Sequence, residues 1–109
     1  MSKDESDISE FVNQVFHDDI TNVLAKLPDD SIDMIYGDPD YNVNINYNGT
    51  NYTMEFDDYV VWYVNLTKEC MRVLKDDGNL MMMNYPKPNA HLRVNYLDEA
   101  AFMVEEYVW

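Results

Sequence analysis

The chain reads as an α/β domain in which a mostly parallel sheet carries helices on its faces. Three observations predict this. Short apolar runs at residues 32–36 and 80–83 read as buried strands. Apolar residues recur at helical spacing between them: Ile20, Val23, Leu24 and Leu27, then Tyr59, Trp62, Tyr63, Leu66, Cys70, Val73 and Leu74. Strands and helices alternate, and alternation requires crossover connections, which pair strands in parallel.

The elements follow in order. Residues 1–10 read as a disordered acidic tail and 11–109 as one small folded domain. Phe11 to Phe16 holds a short apolar patch, expected as a strand around Val15. The helix through Ile20 stops at Pro28-Asp29-Asp30-Ser31, and Gly37-Asp38-Pro39-Asp40 ends the next strand. Residues 42–53 alternate Asn with Val, Ile and Tyr, a pattern open to an edge strand or a loop. Asp57-Asp58 offers an N-cap for the longest helix, and Asp77-Gly78 a stop with Gly in the left-handed position. Pro86 and Pro88 close the strand at 80–83, a second helix is expected over about Ala90 to Ala101, and Val104 to Trp109 reads as a last strand.

Composition narrows the function classes. The chain has 47% hydrophobic residues, two Trp and nine Tyr, which argues for a folded core. No apolar run approaches the ~20 residues of a membrane span, and the acidic start has neither the basic end nor the apolar run of a signal peptide. Cys70 stands alone in a helical pattern, so it reads as a small buried apolar residue in a reducing cytoplasm. The net charge is −14 with seven Lys and Arg, so these residues as a whole do not form a basic nucleic-acid surface.

The segment Asp38-Pro39-Asp40-Tyr41 directly follows a buried strand, and parallel sheets bind ligands at the C-terminal ends of their strands. Its chemistry suits methylation of an exocyclic amine. Such a nitrogen is a poor nucleophile because its lone pair is delocalised into the ring. Two acceptors on its N–H groups pull it toward tetrahedral geometry; a carboxylate and a backbone carbonyl serve. Proline fixes the carbonyl's direction, and an aromatic ring stacks on a base taken out of the duplex. Asp, Pro, one further residue and Tyr meet these needs.

Asp19 through Val43, then Tyr59 and Trp62, then Arg72-Val73-Leu74-Lys75-Asp76-Asp77-Gly78-Asn79-Leu80, resemble in order the N4-cytosine/N6-adenine DNA methyltransferases of restriction–modification systems. Pro86 to Trp109 is most similar to the archaeal CTAG-recognising cytosine methylases, and the likeness covers roughly residues 15–109. The resemblance implies a partial Rossmann-like fold that uses S-adenosylmethionine. It assigns Asp38 and Pro39 to the target amine, Tyr41 to stacking, and Asp19, with Asp18 as the adjacent alternative, to the adenine amine of the cofactor; Asp38 also borders the cofactor. Asp40 replaces the family's usual second proline and adds a carboxylate at the reacting centre. Asp at position 38 is commoner in the adenine enzymes, against the cytosine-like downstream match.

The family grips the cofactor's methionine end with a Gly-x-Gly loop; this chain has only Gly37, Gly49 and Gly78. The expectation is therefore a truncated catalytic half, inactive alone. Double-stranded DNA would be held through basic segments largely outside it, and a complementing methylase half is a possible partner. Competing readings are weaker. Asp38-x-Asp40-x-Asn42-x-Asn44 has Val43 and Gly49 where a calcium loop needs Gly and Glu. His17 and His91, expected in a loop and on a helix surface, lack Cys partners at zinc spacing, and Met81-Met82-Met83 reads as core strand. A non-catalytic remnant serving as a protein-interaction module is the alternative function.

Overall fold

The computed structural model describes residues 8–39 and 54–101, with the backbone of 46–47 and 50–51. The elements are α1 (Ile20–Lys26), β1 (Ile32–Gly37), β2 (Asn46–Tyr47), β3 (Thr50–Asn51), α2 (Phe56–Val73), β4 (Leu74–Met82), α3 (Pro86–Leu92), a π-helical turn over Arg93–Leu97, and α4 (Asp98–Ala100). β1 and β4 pair in parallel with α2 as the crossover, so the α/β class stands. β2 and β3 pair antiparallel, with Asn46 opposite Asn51 and Tyr47 opposite Thr50.

The chain gathers into two compact units. The first takes the described residues up to Tyr36 and Leu66–Met81; the second takes those of Gly37–Asn65 and from Met82 onward. α2 gives its first half to the second unit and its second half to the first.

In the first unit, α1 packs Leu24 inward, while Leu66, Thr67, Cys70, Val73 and Leu74 supply the buried face of α2 and the start of β4. Arg72 ties these parts together. Its guanidinium donates to the carbonyls of Leu24 and Leu27, at 2.8 and 3.0 Å, at the C-terminal end of α1, where the Leu24 carbonyl also accepts from Leu27 N. It also pairs with Asp29 at 2.7 Å and with Glu69 at 3.2 Å, and these carboxylates raise its pKa. The turn into β1 is held by Ser31 Oγ, which donates to the Pro28 carbonyl at 2.8 Å, while Asp30 takes the left-handed region at φ 53°.

In the second unit the core is Tyr59, Val60, Tyr63, Val64 and Leu92, with Phe56, Trp62, Met82, Tyr96 and Leu97 packed against it. Tyr59 and Tyr63 stack with ring centroids 5.9 Å apart. Burial pushes the Tyr96 hydroxyl pKa up.

Several expectations need correction. No strand forms around Val15: residues 9–13 turn, 14–17 have no regular structure, Asn13 lies at φ 58°, and Val15 is 98% exposed, so no burial favours an extended run. Asp57 and Asp58 lie inside the first turn of α2 rather than capping it, because Tyr59 N already bonds the Glu55 carbonyl at 2.9 Å; their charge still suits a helix start. Gly78 does not end the helix. α2 stops at Val73, β4 begins at the next residue, and Gly78 sits inside β4. There a Cβ would come within 2.8 Å of the Leu74 side chain and 2.9 Å of the Asp33 carbonyl, so glycine is required for close approach to β1. The last helix starts at Pro86, not Ala90, because proline suits the first turn of a helix. Met81 is half exposed rather than core. The strand expected over residues 104–109 and the tail residues 1–7 lie outside the described residues.

Candidate functional site

β1 ends at Gly37, and Asp38 and Pro39 follow directly, Asp38 exposed and Pro39 half-buried. Asp40 and Tyr41, the other half of the expected site, lie outside the described residues. Met83 N donates to the Gly37 carbonyl at 2.8 Å. The exit of β4 is thereby fastened beside Asp38, within one unit.

Residues that pattern reasoning passed over hold this exit. Asn84 donates through Nδ2 to the Tyr59 hydroxyl at 2.8 Å and accepts from Tyr85 N at 2.7 Å. The Tyr63 hydroxyl donates to Asn89 Oδ1 at 2.6 Å, and Asn89 Nδ2 reaches the Met82 carbonyl at 3.5 Å. Two buried tyrosines one helical turn apart on α2 thus hold the β4 exit and α3 through two asparagines. This satisfies polar groups that would otherwise be costly to bury. Tyr85 itself stays half-exposed. The available sequence signal was Asn84-Tyr85-Pro86 at the C-terminal end of a parallel strand, where ligands bind.

Asp18 and Asp19 lie in the first unit. Asp19 caps α1: its Oδ1 accepts from Thr21 N at 2.9 Å and from Thr21 Oγ1 at 2.6 Å. The Thr21 hydroxyl, then its amide, holds the Asp19 carboxyl below the usual range. Asp18 Oδ1 accepts from Asn22 Nδ2 at 2.9 Å and from Asp19 N at 2.7 Å, which lowers its pKa likewise, with the Asn22 contact the larger cause. Both carboxylates are exposed and held ionised, and at each the two hydrogen bonds fall on one oxygen. Each is thus a fixed acceptor suited to an N–H donor such as an adenine amine. That fits the adenine end of S-adenosylmethionine; the 109 residues contain no Gly-x-Gly for its methionine end.

Cys70 is buried, and desolvation, then Glu69, pushes its thiol up to about 11, so it is no nucleophile. His17 lies in an exposed irregular stretch and His91 on an exposed helix surface, as expected. Among the described residues no helix is long and apolar enough to cross a membrane.

Comparison with known proteins gives one family. The model of a DNA methylase family covering N6 and N4 enzymes matches residues 32–109. The chain is 33% identical over 82 residues to the Type II methyltransferase M.BamHI of Bacillus amyloliquefaciens, covering 74% of this chain and 19% of that protein. It is 36% identical over 70 residues to the DNA adenine methyltransferase YhdJ of Escherichia coli, covering 64% of this chain and 24% of that protein. With the Type II methyltransferase M.MjaVI of Methanocaldococcus jannaschii it shares 38% identity over 68 residues, 62% of this chain and 34% of that protein. The chain therefore spans no more than about a third of these curated relatives. No solved structure matches it.

Proposed function

The chain belongs to the N6/N4 DNA methylase family, and from that premise we propose that it carries the catalytic part of a DNA amino-methyltransferase. The reaction moves a methyl group from S-adenosylmethionine to the exocyclic nitrogen of a base taken out of the duplex. The observation that carries the reading is the Asp38-Pro39 pair at the C-terminal end of β1, Asp38 exposed and Pro39 half-buried, fastened through Gly37 to the exit of β4.

The Asp38 carboxylate accepts one N–H of the target amine and the Pro39 carbonyl accepts the other. The nitrogen lone pair is then localised and directed. S-adenosylmethionine, when bound, supplies a methyl carbon on a positively charged sulfur. With the amine so activated by Asp38 and Pro39, the cofactor would serve as its methyl donor, and Asp38 or water would take the amine proton. Tyr41 stacks on the extrahelical base. Asp40 adds a second carboxylate there. Asp19, with Asp18 beside it, accepts from the adenine amine of the cofactor.

The base is N4 of cytosine in the first reading, supported by the likeness of residues 86–109 to archaeal cytosine methylases. N6 of adenine is the second, favoured by Asp at position 38 and by the similarity to YhdJ, whose name specifies adenine. The isolated 109 residues are expected to transfer no methyl group to DNA, because they contain no Gly-x-Gly loop for the methionine end of the cofactor. The working compartment is the cytoplasm.

The test is an Asp38→Ala allele in the host, read as N4-methylcytosine and N6-methyladenine content of its DNA. Loss of one modified base identifies the base methylated. Unchanged content of both removes the proposal. Tritium incorporation from labelled S-adenosylmethionine by the isolated chain would overturn the expectation that it is inactive alone.

A further inference from the structure

We infer that Lys87, with His91 one helical turn on, contacts a DNA backbone phosphate beside the base held at Asp38. The inference rests on the methylase reading and names a positioning contact within it. α3 begins at Pro86, directly after the β4 exit that the Met83–Gly37 bond fastens next to Asp38. Lys87 therefore lies four residues beyond the amide that borders Asp38, in the same unit.

Cations are scarce in this chain, and most of those described are committed. Arg72 pairs with Asp29 and Glu69, Lys75 with Asp33, and Arg93 with Asp98. Lys87 is held differently: its ammonium lies 4.5 Å from the centroid of the Phe56 ring. The edge of the His91 ring packs on the same aromatic at 5.1 Å between centroids. A cation–π contact orients an ammonium without neutralising it, because the ring carries no net charge. The three N–H donors of Lys87 and a ring nitrogen of His91 thus border one aromatic platform.

The nearby carboxylates do not cancel the charge. Asp57 and Asp58 follow Phe56 on α2, and among the described residues neither forms an ion pair with Lys87. A lysine–phosphate contact weakens with salt because it displaces counterions from the DNA. A phosphate contact of this kind sets the register of the strand and reads no sequence.

The test is fluorescence anisotropy of labelled duplex oligonucleotides with the chain across a salt series. Lys87→Gln is expected to weaken binding several-fold on every sequence and to lower the slope of log affinity against log salt by about one. Lys87→Arg should keep both. Lys26→Gln, which removes the same charge from α1, should keep the slope. Wild-type slope in Lys87→Gln, or an equal loss in Lys26→Gln, overturns the inference and leaves the methylase reading standing. Failure of the wild-type chain to bind duplex at any salt also overturns it, and the Asp38→Ala host allele then judges the methylase reading separately.

Discussion

The amide of Met83 donates to the carbonyl of Gly37 across 2.8 Å, so the end of β4 is registered against the residue preceding Asp38. The acceptor geometry proposed at Asp38 and Pro39 therefore depends on what holds the β4 exit. Asn84, bonded to the Tyr59 hydroxyl, is the first such support.

Tyr59→Phe removes that acceptor while keeping the buried ring. The expected cost is about 1 kcal/mol, with the Asn84 amide left unsatisfied. Denaturant midpoints measure it. Tyr59→Phe combined with Asn84→Ala should cost less than the two single changes added, because both break one bond. Strict additivity would show that the bond contributes nothing.

Arg72→Ala should destabilise the first unit by about 2 kcal/mol, chiefly through the carbonyls of Leu24 and Leu27 rather than the ion pairs, since partly exposed pairs contribute little. Arg72→Lys should recover only part of this, because one ammonium cannot span the acceptors a guanidinium fork reaches. Thermal melts of the two variants separate the outcomes, and full recovery by Lys would refute the fork.

Cys70 should resist alkylation at neutral pH in the native chain and react on unfolding. Burial raises its folded-state value from 9.0 to about 11. The folded state therefore holds the thiol proton more tightly than the unfolded one. The stability linked to it is intact below pH 9 and is lost as pH rises toward 11. Midpoints of Cys70→Ala should fall less over that window than those of the wild type.

Much of this was legible in the sequence. The i, i+3, i+4, i+7 pattern marked α1 and α2, and the abrupt Gly37-Asp38-Pro39 after an apolar run marked the end of β1. Each is a local signal of period or punctuation. β4 was read short because Lys75, Asp76, Asp77 and Asn79 are exposed along it and so carry polar residues where pattern reading wants apolar ones. Gly78 was misread because its constraint is steric, set by Asp33 on a strand far away in sequence. Asn84 and Asn89 were missed for the same reason, since their partners lie on α2 and no periodicity points to them.

Calorimetry with S-adenosylmethionine probes the cofactor role assigned to Asp19. The cap on Thr21 holds the carboxylate ionised at neutral pH. Binding by the chain should be measurable and weakened by Asp19→Ala; Asp19→Asn, which keeps an acceptor and a capping side chain, should retain more of it. Equal binding by wild type and Asp19→Ala would remove Asp19 from the cofactor site.

Asp38 is proposed to serve methyl transfer to a DNA base. The most direct measurement is mass spectrometry of modified bases in host DNA, comparing the wild type with an Asp38→Ala allele. N4-methylcytosine, or in the second reading N6-methyladenine, is expected to fall in the mutant and return on complementation with the wild-type gene. Unchanged levels of both bases would contradict it.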